Sequence, residues 1–280
     1  MLRERVAEDI FVFTSELYAR VTAGVIVTPE GAIVIDTLPF PEETAEMAHF
    51  IRHKCPAGAR YVINTHHHAD HVYGTYQFPE ATVISHALCR QILLREGERV
   101  LQEAKEATPE LVDVKLRYPT VVFDQGQVSV RLGGKTVVLF TTPGHAPDSI
   151  SAYVKENKVL FAGDAVMPVP YIVNGDRHAM METLRRIGEL PLESIVQGHG
   201  EVLLRGEIKE ALQTNIAYLE AIENTVRKAL REGRPAESLR GLPITKFGKS
   251  PIPLNGLVQQ LHENNLLYLY DVLKEEEEGA

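Results

Sequence analysis

A chain of 280 residues is long enough to bury a sizeable core, and 44% apolar with 24% charged residues is ordinary for a globular protein in water. A formal charge of −9 argues against the broad phosphate-binding surface that nucleic-acid binders need, so nucleic acid is not an expected partner. No apolar run is long enough to span a bilayer, and the opening stretch MLRERVAEDIFVF lacks the uninterrupted apolar segment of a secretory signal, so no membrane partner and a cytoplasmic location are expected. Cys55 and Cys89 stand far apart and read as reduced, mostly buried thiols.

The first third alternates with a period of two: IFVFT, then VTAGVIVT, then GAIVIDT, with Pro29-Glu30-Gly31 as the turn between the last two. These segments predict an antiparallel meander. Pro41 to His53 has apolar residues at helical spacing and an acidic first turn, which predicts a helix. Arg60 to Asn64 is a short apolar strand, ATVISH is another, and HALCRQILLREGERVLQEAKEA reads as one long charged helix. A second set of strands follows in TVVFDQ, QVSVRL, GKTVVLFTT, ISAYVKEN and KVLFAGD. RHAMMETLRRIGEL reads as a helix and ESIVQGHG as a strand running into a glycine-rich loop. Two helices close the chain, over about 207–232 and 256–274, joined by a Pro- and Gly-rich segment expected to lie over the surface. The EEEEGA tail is expected to be solvated and frayed. Strands then helix, twice over, suits two sheets packed face to face with helices outside, and such scaffolds carry their functional residues in loops at strand ends.

One such loop is His66-His67-His68-Ala69-Asp70-His71, directly after the strand RYVIN. Alternate residues share a face, so His66 and His68 project to one side, while Asp70 and His71 come a step later and can aim at a neighbouring spot. Two metal ions can then share one loop, with His67 and Ala69 facing away. A cluster of buried, unpaired imidazoles would be costly, and this spacing with an interleaved carboxylate points to metal ligation. The remaining ligands have a common setting: His145 in TTPGHAPDS, Asp164 in VLFAGDAV and His199 in IVQGHGE. Each follows an apolar strand and has glycine immediately before it, which allows a sharp turn and leaves room for a metal or substrate.

H-x-H-x-D-H, then P-G-H, then G-D, then G-H-G, in this order from about Asp36 to Gly200, resembles the metallo-β-lactamase-fold hydrolase superfamily. The resemblance implies an α/β fold, a four-layer αββα sandwich of two mixed sheets. It implies one such domain over 1–280, with a C-terminal helical extension at about 205–275. It implies that His66, His68 and His145 hold a first metal, that Asp70, His71 and His199 hold a second, and that Asp164 bridges both. Asp36, at the end of GAIVIDT, matches an aspartate that braces the metal loop from behind, and it reads equally well as a strand-end cap. His68 stands where the di-iron oxygen-reducing members resemble a glutamate pattern, which disfavours redox chemistry. Asp164 points away from the true zinc β-lactamases and towards glyoxalase II-like or lactonase-like hydrolases. The chain has no room for the long insertion of the RNA-cleaving members.

The implied cofactors are two divalent metal ions, zinc first, with iron or manganese admitted by the carboxylates. Such a pair lowers the pKa of a shared water, and the resulting hydroxide attacks an ester, thioester or lactone carbonyl, with Asp70 as the candidate catalytic proton carrier. The alternative on the same fold is a phosphodiesterase or ribonuclease. The expected partner is a small-molecule substrate, and 164-DAVMPVPYIVNGDRH-178 is the expected substrate wall, with Met167, Pro170 and Tyr171 apolar; Tyr171 reads first as packing this loop, and its hydroxyl as an oxyanion donor second. His86 and His178 lie near helix starts and read as caps or surface residues. His262 reads as a helical surface or interface residue that could otherwise reach the site. Leu257, Leu261, Leu266, Leu267, Tyr268 and Tyr270 give the last helix an apolar face, which is core or else the seal of a homodimer.

Overall fold

The computed structural model describes residues 1–278. The chain opens with β1 (Leu2–Ala7), β2 (Ile10–Thr14), β3 (Thr22–Thr28) and β4 (Gly31–Ile35), each antiparallel to the one before. The predicted meander is therefore present, and it gains a strand at its start. The β1 segment LRERVA was not read as a strand because its outer position leaves most of it exposed, with none of the apolar alternation that marks a buried face. Helix α1 (Pro41–Lys54) carries proline in its first turn, Glu42 and Glu43 after it, and Arg52, His53 and Lys54 at the end, all matched to the helix dipole. Next come β5 (Ala59–Ile63), the one-turn helix α2 (Ala69–Val72), β6 (Thr82–His86), α3 (Ala87–Ile92), α4 (Glu98–Ala107) and β7 (Val121–Phe123). From β4 to β7 the strands run parallel, which completes a seven-stranded mixed sheet in sequence order.

The predicted single helix over HALCRQILLREGERVLQEAKEA is broken. Leu93–Gly97 forms a π-helical turn between α3 and α4. A Cβ on Gly97 would sit 2.6 Å from the Leu116 Cδ1, so Leu116 packs closely against the end of this turn. The periodic pattern in the sequence does not register this contact, because it is made by a residue outside the helix.

The second half contains β8 (Gln127–Leu132), β9 (Lys135–Thr141), β10 (Ile150–Val154), β11 (Val159–Gly163), α5 (Arg177–Gly188), β12 (Ser194–Gln197), β13 (Val202–Leu204), α6 (Arg205–Arg231) and α7 (Val258–Glu278). Its six strands order as β13-β12-β11-β10-β9-β8, with only β11 and β12 parallel. Between the sheets, Ile10, Ile33, Ile63 and Ile84 meet Val137, Leu139, Ile150 and Phe161. On the outer face of the first sheet, Val25, Val34 and Val62 pack against Met47, Phe50 and Ile51 of α1. On the outer face of the second, Leu160 and Ile195 pack under Met180, Leu184, Leu219 and Leu266 of the helices. Both faces of β4 are thus buried, which is why GAIVI reads as a continuous apolar run. Each fully buried Ile or Leu of these layers contributes about 1.5–3 kcal/mol.

Expectations for the segment between the last two helices, for His262 and for the acidic tail need correcting, whereas the apolar face of the last helix is core, one of its two expected roles. The segment between α6 and α7 is not a loose surface loop, because Leu239, Ile244, Phe247 and Leu254 anchor it in the core. His262 is neither on the surface nor at the metal loop. It is fully buried, its Nδ1 accepts from the Tyr218 hydroxyl at 2.9 Å, and its ring lies against Phe247. The apolar face of α7 is used within the chain: Leu266, Leu269 and Leu273 are buried, Tyr268 donates to the Gly175 carbonyl and Tyr270 to that of Arg234. Glu275 to Glu278 of the acidic tail continue the helix, exposed to solvent, with Glu276 bonded to Arg177 at 3.2 Å; Gly279 and Ala280 lie outside the described residues. Cys55 and Cys89 are both free and buried, as expected. Among the described residues no helix is long and apolar enough to cross a membrane.

Candidate metal centre

The strand β5 stops at Ile63 because Asn64 and the residues after it leave the ladder to serve the loop. The Asn64 side chain donates to the His71 carbonyl and to the Thr75 hydroxyl, each at 3.1 Å, and so ties the loop's start to its end. Asp36, at the tip of β4, holds the same loop from behind. Its backbone has a φ of 55°, a left-handed conformation that a short polar side chain tolerates. Its carboxylate accepts from the Thr65 amide and the Thr65 hydroxyl, both at 2.7 Å, and from His71 Nδ1 at 2.9 Å. The Thr65 oxygen in turn accepts from His66 Nδ1 at 3.0 Å. One buried carboxylate therefore accepts from the rear nitrogen of His71 directly and orients that of His66 through Thr65, which turns both Nε2 atoms inward.

The other histidines are oriented by main-chain carbonyls. His145 Nδ1 donates to Tyr171 C=O at 2.9 Å, and His199 Nδ1 donates to Ala19 C=O at 3.0 Å. Ala19 is itself left-handed, with φ 43°. His68 differs in turning Nδ1 inward, 2.9 Å from His145 Nε2. His67 turns away, as the spacing predicts, and bonds the fully buried Asp148 at 2.9 Å. Ala69 only begins the short helix α2.

Seven inward-facing groups result, and they fall into two sets. His66, His68, His145 and Asp164 bring one ligand atom each within 4.8 Å of one another, and so do Asp70, His71 and His199. Asp164 touches both sets: its Oδ2 lies 3.3 Å from His145 Nε2 and 3.5 Å from His199 Nε2, and its Oδ1 lies 3.2 Å from His71 Nε2. Asp70 Oδ2 lies 3.3 Å from His199 Nε2. Gly198 makes this approach feasible, since a Cβ there would fall 1.9 Å from Asp164 Oδ1.

Charge accumulates in this space. Burial pushes the Asp70 carboxyl up, but His71 and His199 outweigh it and hold it down at about 2. Burial likewise opposes ionisation of Asp164, and His199, His71 and His145 hold it well below the usual carboxylate range. Burial drives His68 down to about 3, assisted by His145 and His67. Burial also lowers His199, but Asp164 and Asp70 more than reverse it, to about 10. His66 Nε2 is buried without any hydrogen-bond partner, and His71 Nε2 and Asp164 Oδ1, also buried, face each other at 3.2 Å without an aligned hydrogen bond. Each such group costs about 1–3 kcal/mol unless something compensates it. Convergent lone pairs from imidazole and carboxylate, with no thiolate, are the donor set of a divalent cation of zinc's kind.

Among the remaining expected residues, His86 caps α3, accepting from the Leu88 amide at 3.0 Å, but is buried. His178 is exposed in the first turn of α5, whose cap is Asp176. Met167 is buried in the helical layer and Tyr171 is half-buried, its ring 6.1 Å from that of His145. Two residues that the sequence reading missed pin this loop from the C-terminal helices. Asn215 donates to Met167 C=O at 3.0 Å, while Asn265 donates to Pro170 C=O at 2.7 Å and accepts from the Ile172 amide at 3.0 Å. The only signal for them was a polar side chain at an apolar helical position. Tyr18, near enough to the centre for Asp70 to raise its pKa, was missed as well.

Known proteins resemble this chain in sequence and in fold. A beta-lactamase-like protein 2 homolog from Caenorhabditis elegans is 27% identical over 179 residues, which is 64% of this chain and 54% of that protein. A hydroxyacylglutathione hydrolase from a Methylobacterium is 29% identical over 178 residues, 62% of this chain and 61% of that one. The matched stretch thus spans little more than half the length of these relatives. In fold, a metallo-beta-lactamase from Pontibacter korlensis superposes with a TM-score of 0.62 at 19% identity, covering 76% of this chain and 97% of the other. A family model described as the metallo-beta-lactamase superfamily matches residues 19–199, the stretch that carries every inward-facing group above, and the chain belongs to that superfamily.

Proposed function

We propose that the chain is a metal-dependent hydrolase of small ester, thioester or lactone substrates. Its centre would hold two divalent ions, zinc first: His66, His68 and His145 would take one, Asp70, His71 and His199 the other, with Asp164 between them. The observation that carries this reading is the convergence of His66 Nε2, His71 Nε2 and Asp164 Oδ1, none with an aligned hydrogen bond, in one buried space. Ions bound there would supply a nucleophilic water at neutral pH and Lewis-acid stabilisation of the developing oxyanion, the latter worth several kcal/mol.

The chain's own part is orientation and proton handling. Asp36 and the carbonyls of Tyr171 and Ala19 accept from the rear nitrogens of His71, His145 and His199, so in each of these rings Nε2 is the atom aimed at the centre. Asp70, with its side chain 15% exposed at the edge of the centre, is placed to hold the proton of the attacking water and return it to the leaving group. The main basic loop, 240–249, does not favour a phosphodiesterase. Arg240 is spent on Glu263 at 2.7 Å, and Lys249 bonds Asn215 and Thr214.

Plasma mass spectrometry on protein purified without added metal, run beside a panel of lactone, glutathione thioester, cephalosporin and phosphodiester, tests the reading. About two zinc ions per chain with turnover of a carbonyl substrate is the expected result. One iron per chain without hydrolysis overturns it, and turnover of the phosphodiester alone transfers the activity to the other class. Asp70→Asn at full metal loading should lose kcat; an unchanged kcat removes the proton-carrying role.

A further inference from the structure

The metal loop has an apolar neighbour. A recess of ≈ 160 Å³ opens against His67, His68 and Ala69 and is walled by Tyr73, Leu93, Val100 and Leu116. It lies where the π-helical turn Leu93–Gly97 separates α3 from α4, and extra residues of this kind in a helix often reshape it beside a functional site. Leu93 is buried and belongs to a small core with Val72, Tyr73 and Leu101, so the floor of the recess is preformed. Val100 stands at its rim, 40% exposed although apolar. Among the lining residues there is no lysine or arginine; the one charged side chain is Glu96.

We propose that this recess receives a short, uncharged alkyl chain attached to the carbonyl on which the centre acts, so that the substrates are short-chain acyl esters or thioesters. The inference rests on the hydrolase reading above and adds a specificity determinant to it. His68 lines the recess with the same ring whose Nδ1 faces the centre. His68 is the one inward-facing group that the recess and the centre share, so a chain attached to the reacting carbonyl would pass this ring to enter beside Ala69. The volume takes about five groups the size of water, which limits the chain to about five carbons beyond the carbonyl. A second carboxylate at the chain's end would lose its water among apolar walls, and the Arg95 guanidinium nearest Glu96 is already held by that carboxylate at 2.6 Å.

The test is calorimetric binding of n-alkyl carboxylates, acetate to octanoate, to the zinc-loaded full chain. Affinity should rise about fourfold for each added methylene and level off near five or six carbons. Succinate should bind about tenfold more weakly than butyrate. Val100→Phe, an exposed rim position, should bring the middle members of the series down to the level of acetate with zinc content unchanged. Leu116→Ala should move the levelling point one or two carbons later, provided its melting temperature shows it folded. A flat series, or a series that Val100→Phe leaves as it was, overturns the recess. Hydrolysis of the matching acyl thioesters separates the two readings. A graded binding series without any hydrolysis removes the hydrolase and keeps the recess, whereas hydrolysis that ignores chain length does the opposite.

Discussion

The two halves of the centre are held in different ways. In the first half, His66 and His71 come from one contiguous loop, and a side-chain carboxylate, Asp36, sets both rings through Thr65 and directly. In the second half, His145 and His199 arrive from separate strands, and the main-chain carbonyls of Tyr171 and Ala19 set them. The first half is therefore addressable by changing one side chain. The second depends on where the backbone lies, which is decided by glycines and by helices packed behind the loop. Orientation by a side chain concentrates sensitivity at one residue, and orientation by backbone spreads it over whatever positions that backbone.

The largest effect should come from the backbone side. Gly198→Ala drives a methyl group into Asp164 and the Gly163 carbonyl carbon, 1.9 and 2.7 Å away, so the loop must move. Overpacking should cost about 1–3 kcal/mol and displace Asp164 as well, giving a lower melting temperature and a loss of bound metal in titration. A variant that keeps both would break the argument for the second half. Next is Asp36→Asn, nearly isosteric, which replaces an acceptor for three donors with a mixed amide. It should weaken metal binding by about 10–100-fold while His145 and His199 keep their NMR signatures. Equal disturbance of all four rings would show that the halves are not independent.

A smaller effect comes from the network behind the second half. His262 bonds Tyr218, and the Tyr218 hydroxyl accepts from Asn265, which pins the loop at Pro170. Burial lowers the His262 pKa to about 4. The unfolded chain takes up this proton below about 6.5 while the folded chain resists it down to about 4, so stability falls as pH falls through that window. The melting-temperature advantage of wild type over His262→Gln should therefore shrink between those limits; a constant difference would show that His262 does not titrate as its burial requires. The smallest effect should be that of Tyr171→Phe. His145 bonds the carbonyl of this residue and not its hydroxyl, so metal content should be unchanged and stability altered by no more than about 0.5 kcal/mol. If kcat falls at unchanged metal content, the hydroxyl acts on the substrate.

The inward-facing groups were legible as residues because metal ligation demands particular side chains at particular spacings, and strand ends advertise themselves through apolar runs bounded by glycine. The two-layer sheet arrangement was legible for a similar reason, since burial on both faces leaves segments such as GAIVI without polar positions. The edge strand β1 and the break at Leu93–Gly97 were not, because an exposed edge carries no apolar period and LLREG carries the same mix of apolar and charged residues as the helices on either side. The fate of His262 was invisible too: periodicity shows that a helical residue lies beside an apolar stripe, not that Tyr218 and Phe247 close over it.

By itself, then, the sequence determined which side chains can face a cation, because ligand chemistry is a property of side chains and local spacing. Only the tertiary structure decided which nitrogen of each ring faces inward. The partners that settle it are Asp36 for His71, Tyr171 C=O for His145 and Ala19 C=O for His199, lying 35, 26 and 180 residues away along the chain. A tautomer is chosen by whatever accepts the other proton, and that neighbour exists only once the sheets have packed.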